Sequence, residues 1–196
     1  MDSNGANTTA AAAVLAAGEH LALRDARAVV LAATGPVGSR VVRLLARQGS
    51  HVTVASRQLA RAQEVCDDVA QRVEGAQLSP LATSVEGAVE ESLEQADLLI
   101  AAGAAGIQLV ELDAWSRQAR LRVAIDLNAV PPAGIEGIDA TARNVMLNQV
   151  ACYGAIGVGN TKMKIHKAAL QSLFQANDRV LIAEEVYAIG QNVLGS

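Results

Sequence analysis

Aromatic side chains are almost missing from this chain, which has one Phe, one Trp and two Tyr in 196 residues. A core without large rings must be filled by small aliphatic groups, and 51% of the residues are hydrophobic. The abundance of Ala, Val, Leu and Gly suits a parallel sheet whose strands are covered on both faces by helices. No excess of basic residues exists, since the formal net charge is −4. A nucleic-acid surface needs a basic face, so that class of partner is excluded. Cysteine is scarce as well. Cys66 and Cys152 stand in unrelated contexts, which leaves no disulfide framework and no metal-ligand spacing, and a reducing, cytoplasmic setting is expected. No apolar run approaches membrane length. The stretch from Ala10 to Ala17 lacks a basic segment before it, Asp2 being the only charge there, so it reads as an N-terminal helix started by Asn7, Thr8 or Thr9 and not as a signal peptide. No Ser-His-Asp or Cys-His arrangement and no metal cluster is legible.

What is present is an alternation of strand-like and helix-like segments, in a chain long enough to bury roughly 70% of its unfolded surface. Strands are expected at 28–32, 51–55, 77–81, 96–101 and 121–127, with a short one at 152–156. Helices are expected at 37–48, 58–73, 85–95, from Gly103 to about Ala119, from Asn160 or Thr161 to Gln175, and from Val180 to Gln191, with Gly190 fraying the last. This order implies an α/β, doubly wound parallel sheet of the Rossmann type. Residues 1–20 form a preceding helix or hinge, and 21–196 form one nucleotide-binding domain with C-terminal helices.

The segment Ala28-Val29-Val30-Leu31-Ala32 leads into Ala33-Thr34-Gly35-Pro36-Val37-Gly38 and then a helix. Strand, glycine-bearing turn and helix N-terminus in that order form a pyrophosphate cradle, because backbone N–H groups and the helix dipole meet the anion there. Ala33 stands where a first glycine is usual, which is acceptable only if its φ is negative. At the end of the second strand, an acidic residue would select NAD through the ribose 2′-hydroxyl. Here Ser56-Arg57 occurs, with Arg61 a turn later. A guanidinium fork suits the 2′-phosphate of NADP, with NAD still possible; otherwise Arg57 is a solvated first-turn residue. Ala101-Ala102-Gly103-Ala104 either lets a nicotinamide ribose pass or is a tight turn. Asn128, in Asp126-Leu127-Asn128-Ala129, either bonds the ligand or caps the strand end. Lys162, Lys164 and Lys167 crowd an expected helix start, against the macrodipole. His166 reads as a helix-surface or partly buried residue and not as a base.

At these motifs the chain resembles the NAD(P)-dependent methylene-tetrahydromethanopterin dehydrogenases of methylotrophic and related bacteria. The resemblance lies in Asp2-Ser3-Asn4-Gly5, Asn7-Thr8-Thr9-Ala10, Thr34 to Gly38, Asp126 to Pro132, Tyr153 to Gly159, Thr161 to Lys167 and Ala183 to Tyr187. It implies that Thr34, Gly35, Pro36, Val37 and Gly38 hold the pyrophosphate, and Ser56 and Arg57 the 2′-phosphate. Ala102, Gly103, Ala104, Asn128 and Ala129, with Gly157, Val158 and Gly159, would line the cofactor, and Lys162 would face a reduced pterin as the catalytic residue. A homo-oligomer is expected. Members of that family carry an additional N-terminal domain before the Asp2–Thr9 segment, so half of the pterin cleft is expected to be missing from this chain.

Overall fold

The computed structural model describes residues 5–174 and 180–195. The Asp2-Ser3-Asn4 part of the resemblance and the expected helix end at Gln175 lie outside them. Seven strands form one sheet in the order β3-β2-β1-β4-β5-β7-β6. They are β1 (Arg27–Leu31), β2 (His51–Ser56), β3 (Gln77–Ala82), β4 (Leu98–Ala101), β5 (Val123–Asp126), β6 (Arg143–Leu147) and β7 (Val150–Tyr153). All neighbours are parallel except β6, which is antiparallel to β7. The chain winds outward from β1 to β3, then crosses to β4 on the other side of β1. The topological switch point, where open α/β sheets bind ligands, therefore lies between β1 and β4.

The strands alternate between two cores, as a sheet covered on both faces requires. Ala28 and Val30, Leu98 and Ile100, and Val123 and Ile125 face one side, packed by α1 (Ala6–Gly18), α2 (Pro36–Arg47), α3 (Leu59–Arg72), α6 (Ala155–Leu173) and α7 (Ala183–Leu194). Val29 and Leu31, Leu99 and Ala101, and Ala124 face the other, with α4 (Ala88–Leu93), α5 (Leu112–Trp115) and the loops beside them.

Helix α1 is buried all round, with Ala10 to Val14 at zero exposure, between α2, α6 and α7. Alanine makes this possible, because a helix without bulk approaches its neighbours on every side. Its start differs from expectation. Gly5, with φ +70, is the cap, and the Thr8 and Thr9 hydroxyls lie inside the helix and donate to the Gly5 carbonyl at 3.0 and 2.9 Å.

Several expected elements are corrected. No helix runs from Gly103 to Ala119. The chain stays irregular to Glu111, where Val110 bridges Ile135 and Leu109 N–H donates to the Gly134 carbonyl at 2.8 Å, and only Leu112–Trp115 is helical. This loop covers the second core in a helix's place, pinned by the buried Trp115, whose indole N–H donates to the Glu136 carbonyl. Gly87, with φ +76, delays α4 to Ala88. The edge strand β6 was not expected; its side chains are exposed from Arg143 to Met146, so no alternation announces it. Helix α6 starts at Ala155, not at Asn160, and β7 ends at Tyr153 to make room for its cap, Gly154. Helix α7 begins at Ala183, after Val180. Gly190 does not fray it: the residue is buried against Leu15 and Ile165, and α7 continues to Leu194.

Candidate dinucleotide site

The β1–α2 turn is built on a strained residue. Ala32 has φ +53, and its carbonyl accepts the Gly35 N–H at 3.3 Å. Ala33 keeps to the ordinary side of φ, so its missing glycine costs nothing; the left-handed step lies one residue earlier. Ala33 is fully buried, and its N–H donates to the Ala55 carbonyl of β2 at 2.9 Å. Gly38 allows α2 to lie against this turn, since a Cβ there would come within 2.7 Å of the Ala33 Cα. Gly35 caps α2 in extended conformation, with no side chain bonded to the helix end. Pro36 has no N–H to satisfy, so the first-turn donors of α2, at Val37 and Gly38, are the ones left for an anion.

Beside this turn, at the carboxyl ends of β1, β2 and β4, lies a cleft of about 250 Å³. It gathers Thr34, Gly35, Ser56, Arg57, Ala102, Gly103 and Ala104, all singled out in the sequence, together with Leu31, Thr83, Ile107 and Leu109, which were not. Ile107 belongs to the loop taken for a helix, and its half-exposed side chain gives the cleft an apolar wall. An open groove of about 710 Å³ continues from Thr34 and Ser56 past Arg57, Arg61 and Glu64. Arg61 is paired with Glu64 at 3.0 Å, whereas among the described residues no carboxylate forms an ion pair with Arg57. Arg57 is thus the cation available to an incoming phosphate.

Asn128 and Ala129 do not line the cleft. The Asn128 side chain is committed to its own loop: its oxygen accepts the Val130 N–H at 3.0 Å and its nitrogen donates to the Pro132 carbonyl at 3.1 Å. The same loop hangs on Asp126, a buried carboxylate that accepts N–H groups of Asn128 and Ile135 at 3.0 and 3.1 Å. Burial pushes its carboxyl above the usual range, and these donors pull it part of the way back.

The Gly157-Val158-Gly159 segment is helix and not loop. The N-terminus of α6 is closed by protein, because the Ala140 carbonyl accepts the Ile156 and Gly157 N–H groups. Gly157 is there for packing: a Cβ would lie 1.8 Å from the Ala142 carbonyl oxygen. Val158 is buried, while Gly159 faces open space. Lys162 sits well inside α6, so its charge does not oppose the helix end as expected. Its ammonium lies beside Gly5 at the start of α1, where a Cβ would approach Nζ to 3.3 Å. Lys162 is half-buried and Lys164 and Lys167 are exposed, and His166 is half-buried. None of these residues lines the cleft. Among the described residues, no helix is long and apolar enough to cross a membrane.

A glycine-bearing turn at the switch point, an uncapped helix N-terminus and a cleft across β1 and β4 form the arrangement in which doubly wound sheets hold dinucleotides. The comparisons with known proteins agree. The sequence pattern of the Shikimate / quinate 5-dehydrogenase family matches residues 15–150, and the chain belongs to that family. It is 38% identical over 197 residues to the Bifunctional protein MdtA of Methylorubrum extorquens, which covers 98% of this chain and 67% of that protein. It is 30% identical over 119 residues to an NAD(P)-dependent methylenetetrahydromethanopterin dehydrogenase of the same organism, covering 57% of this chain and 40% of that one. In fold it is similar to a transhydrogenase from Sinorhizobium meliloti, with a TM-score of 0.61 and 21% identity over 97% of this chain and 53% of the other. The cofactor is therefore NAD(P), and the class is that of the NAD(P)-dependent dehydrogenases.

Proposed function

We propose that this chain is the cofactor domain of an NADP-preferring methylene-tetrahydropterin dehydrogenase. The carrying observation is the open N-terminus of α2 at the β1–β4 switch, with Arg57, which forms no ion pair among the described residues, just after β2. Val37 and Gly38 N–H groups, with Thr34, Gly35 and Pro36 shaping the turn, hold the pyrophosphate. Ser56 and Arg57 hold the 2′-phosphate, and Ala102, Gly103 and Ala104 admit the nicotinamide ribose close to the backbone.

Bound NADP supplies the hydride acceptor. The donor is the methylene carbon between two pterin nitrogens, whose lone pairs stabilise the cation that develops as hydride leaves. No general base is then needed, and the protein's contribution is orientation. Lys162 faces the pterin from the α1–α6 seam. The pterin reading draws its support from the partial match to the Methylorubrum extorquens dehydrogenase. Purified protein given NADP and methylene-tetrahydromethanopterin should produce NADPH; no turnover at high protein concentration overturns catalysis by this chain.

A second reading is favoured by the family match over residues 15–150. In it the substrate is a hydroxy acid of the shikimate or quinate kind. NADPH formation with shikimate or quinate, and none with the pterin, would select it. Both readings share the cofactor prediction. Arg57→Ala should raise the Kd for NADP about tenfold or more, the worth of a charge-assisted hydrogen bond. The Kd for NAD should stay near its starting value. Equal effects on the two cofactors would place Arg57 away from the 2′-phosphate.

A further inference from the structure

We propose that Asn7 and Arg40 are positioning residues for the cofactor, acting through the Pro36 carbonyl on the turn that receives the pyrophosphate. The proposal rests on the reading of Thr34–Gly38 as that turn. Asn7 is 4% exposed, in the first turn of α1. Its side-chain oxygen accepts a hydrogen bond from Arg40 Nε, and its nitrogen donates to the Leu181 carbonyl ahead of α7 at 3.4 Å. Arg40 Nη1 in turn donates to the carbonyl of Pro36, the first residue of α2. One polar chain therefore joins α1, the opening turn of α2 and the segment before α7.

Packing alone does not call for such a chain. A buried amide is costly unless both of its ends are bonded, and an apolar residue of the same size would fill the space without that demand. What the amide adds is direction. It fixes α2 at one point, and that point is where the anion-binding donors are. Since Pro36 offers no N–H, the site depends on the aim of the Val37 and Gly38 N–H groups. Their positions follow that of the first turn, and a displacement near 1 Å is enough to weaken such a site. The 2′-phosphate groups, Ser56 and Arg57, stand at the end of β2 and in the turn before α3, outside this chain of bonds.

The test compares ADP, NADP and 2′-AMP binding by calorimetry, with thermal unfolding followed in parallel. Wild-type protein should bind ADP and 2′-AMP. Asn7→Leu should weaken ADP and NADP about tenfold, matching the loss of one hydrogen bond to a charged group, and leave 2′-AMP within about twofold. Arg40→Met should reproduce the pattern. Asn7→Asp keeps the oxygen that Arg40 binds and should restore most of the ADP affinity, whatever its effect on Tm. A uniform loss on all three ligands, or Asn7→Asp behaving as Asn7→Leu, overturns the positioning role. Wild-type protein that binds 2′-AMP but not ADP overturns the pyrophosphate reading, and the proposal with it.

Discussion

Two residues carry strain or charge in ways that can be measured. Ala32 holds φ +53 at the tip of β1. An L-residue there gives up about 1–2 kcal/mol relative to glycine, and glycine's greater freedom in the unfolded chain returns about 0.5–1 kcal/mol of that. Ala32→Gly should therefore stabilise the protein by about 0.5 kcal/mol, read as a higher urea midpoint at unchanged m. Tyr153 is the second. Its hydroxyl lies 2.7 Å from His20 Nε2 and donates to Glu19 at 3.2 Å. Burial, then the neighbouring Glu19 charge, push its phenol up to about 12 from 10. The neutral phenol belongs to the folded state, so its contribution is complete below pH 10 and is lost as pH rises from 10 towards 12. Burial raises Tyr187 as well, and these two are the chain's only tyrosines. Tyrosinate absorbance should accordingly stay low as pH passes 10 and rise together with unfolding; a titration near 10 in folded protein would contradict the burial of both rings.

At the scale of elements, two glycines on α6 should behave oppositely. A methyl at Gly157 would lie 1.8 Å from the Ala142 carbonyl oxygen, against backbone that has no room to yield. Gly157→Ala should cost about 3 kcal/mol or more. Gly159 has nothing within 4 Å, and Gly159→Ala should stabilise by about 0.5–1 kcal/mol through helix propensity. Urea unfolding of the pair checks both signs. The same helix shows where the sequence is legible and where it is not. Strands β1, β2, β4 and β5 and helices α2 and α3 announce themselves, because a covered strand reads as a continuous apolar run and an amphipathic helix repeats every three to four residues. The start of α6 does not, since its glycines answer to the 139–142 backbone, which is remote in periodicity though not in space. The 103–111 loop misleads for a related reason: small apolar residues permit a helix, and only the pairing with residues 134–136 decides against it. Of the residues lining the β1–β4 cleft, Thr34, Gly35, Ser56, Arg57 and Ala102 to Ala104 are legible in the sequence because each ends or follows a recognisable strand. Asn7 and Arg40 are not, because a hydrogen bond across 33 positions leaves no local pattern.

For the whole molecule, α1 ties the two ends of the chain together. It packs on α2, α6 and α7, and Arg43 of α2 pairs with Glu184 of α7 at 2.8 Å behind it. Removing residues 180–196 should uncover an apolar face along α1 and α6. The expected result is binding of a hydrophobic dye and loss of a single cooperative unfolding transition; a shortened chain that still unfolds in one sharp step and stays dark with the dye would show that α7 is dispensable. The alanines that let α1 sit in the middle of this layer also set a schedule for synthesis. The helix leaves the ribosome before any of the strands, yet two of its three covering helices, α6 and α7, are made only after all seven of them. A nascent chain therefore carries it only partly covered until α6 and α7 emerge, so a pause just after β7 has been made prolongs the exposure of the very segment that later closes the fold.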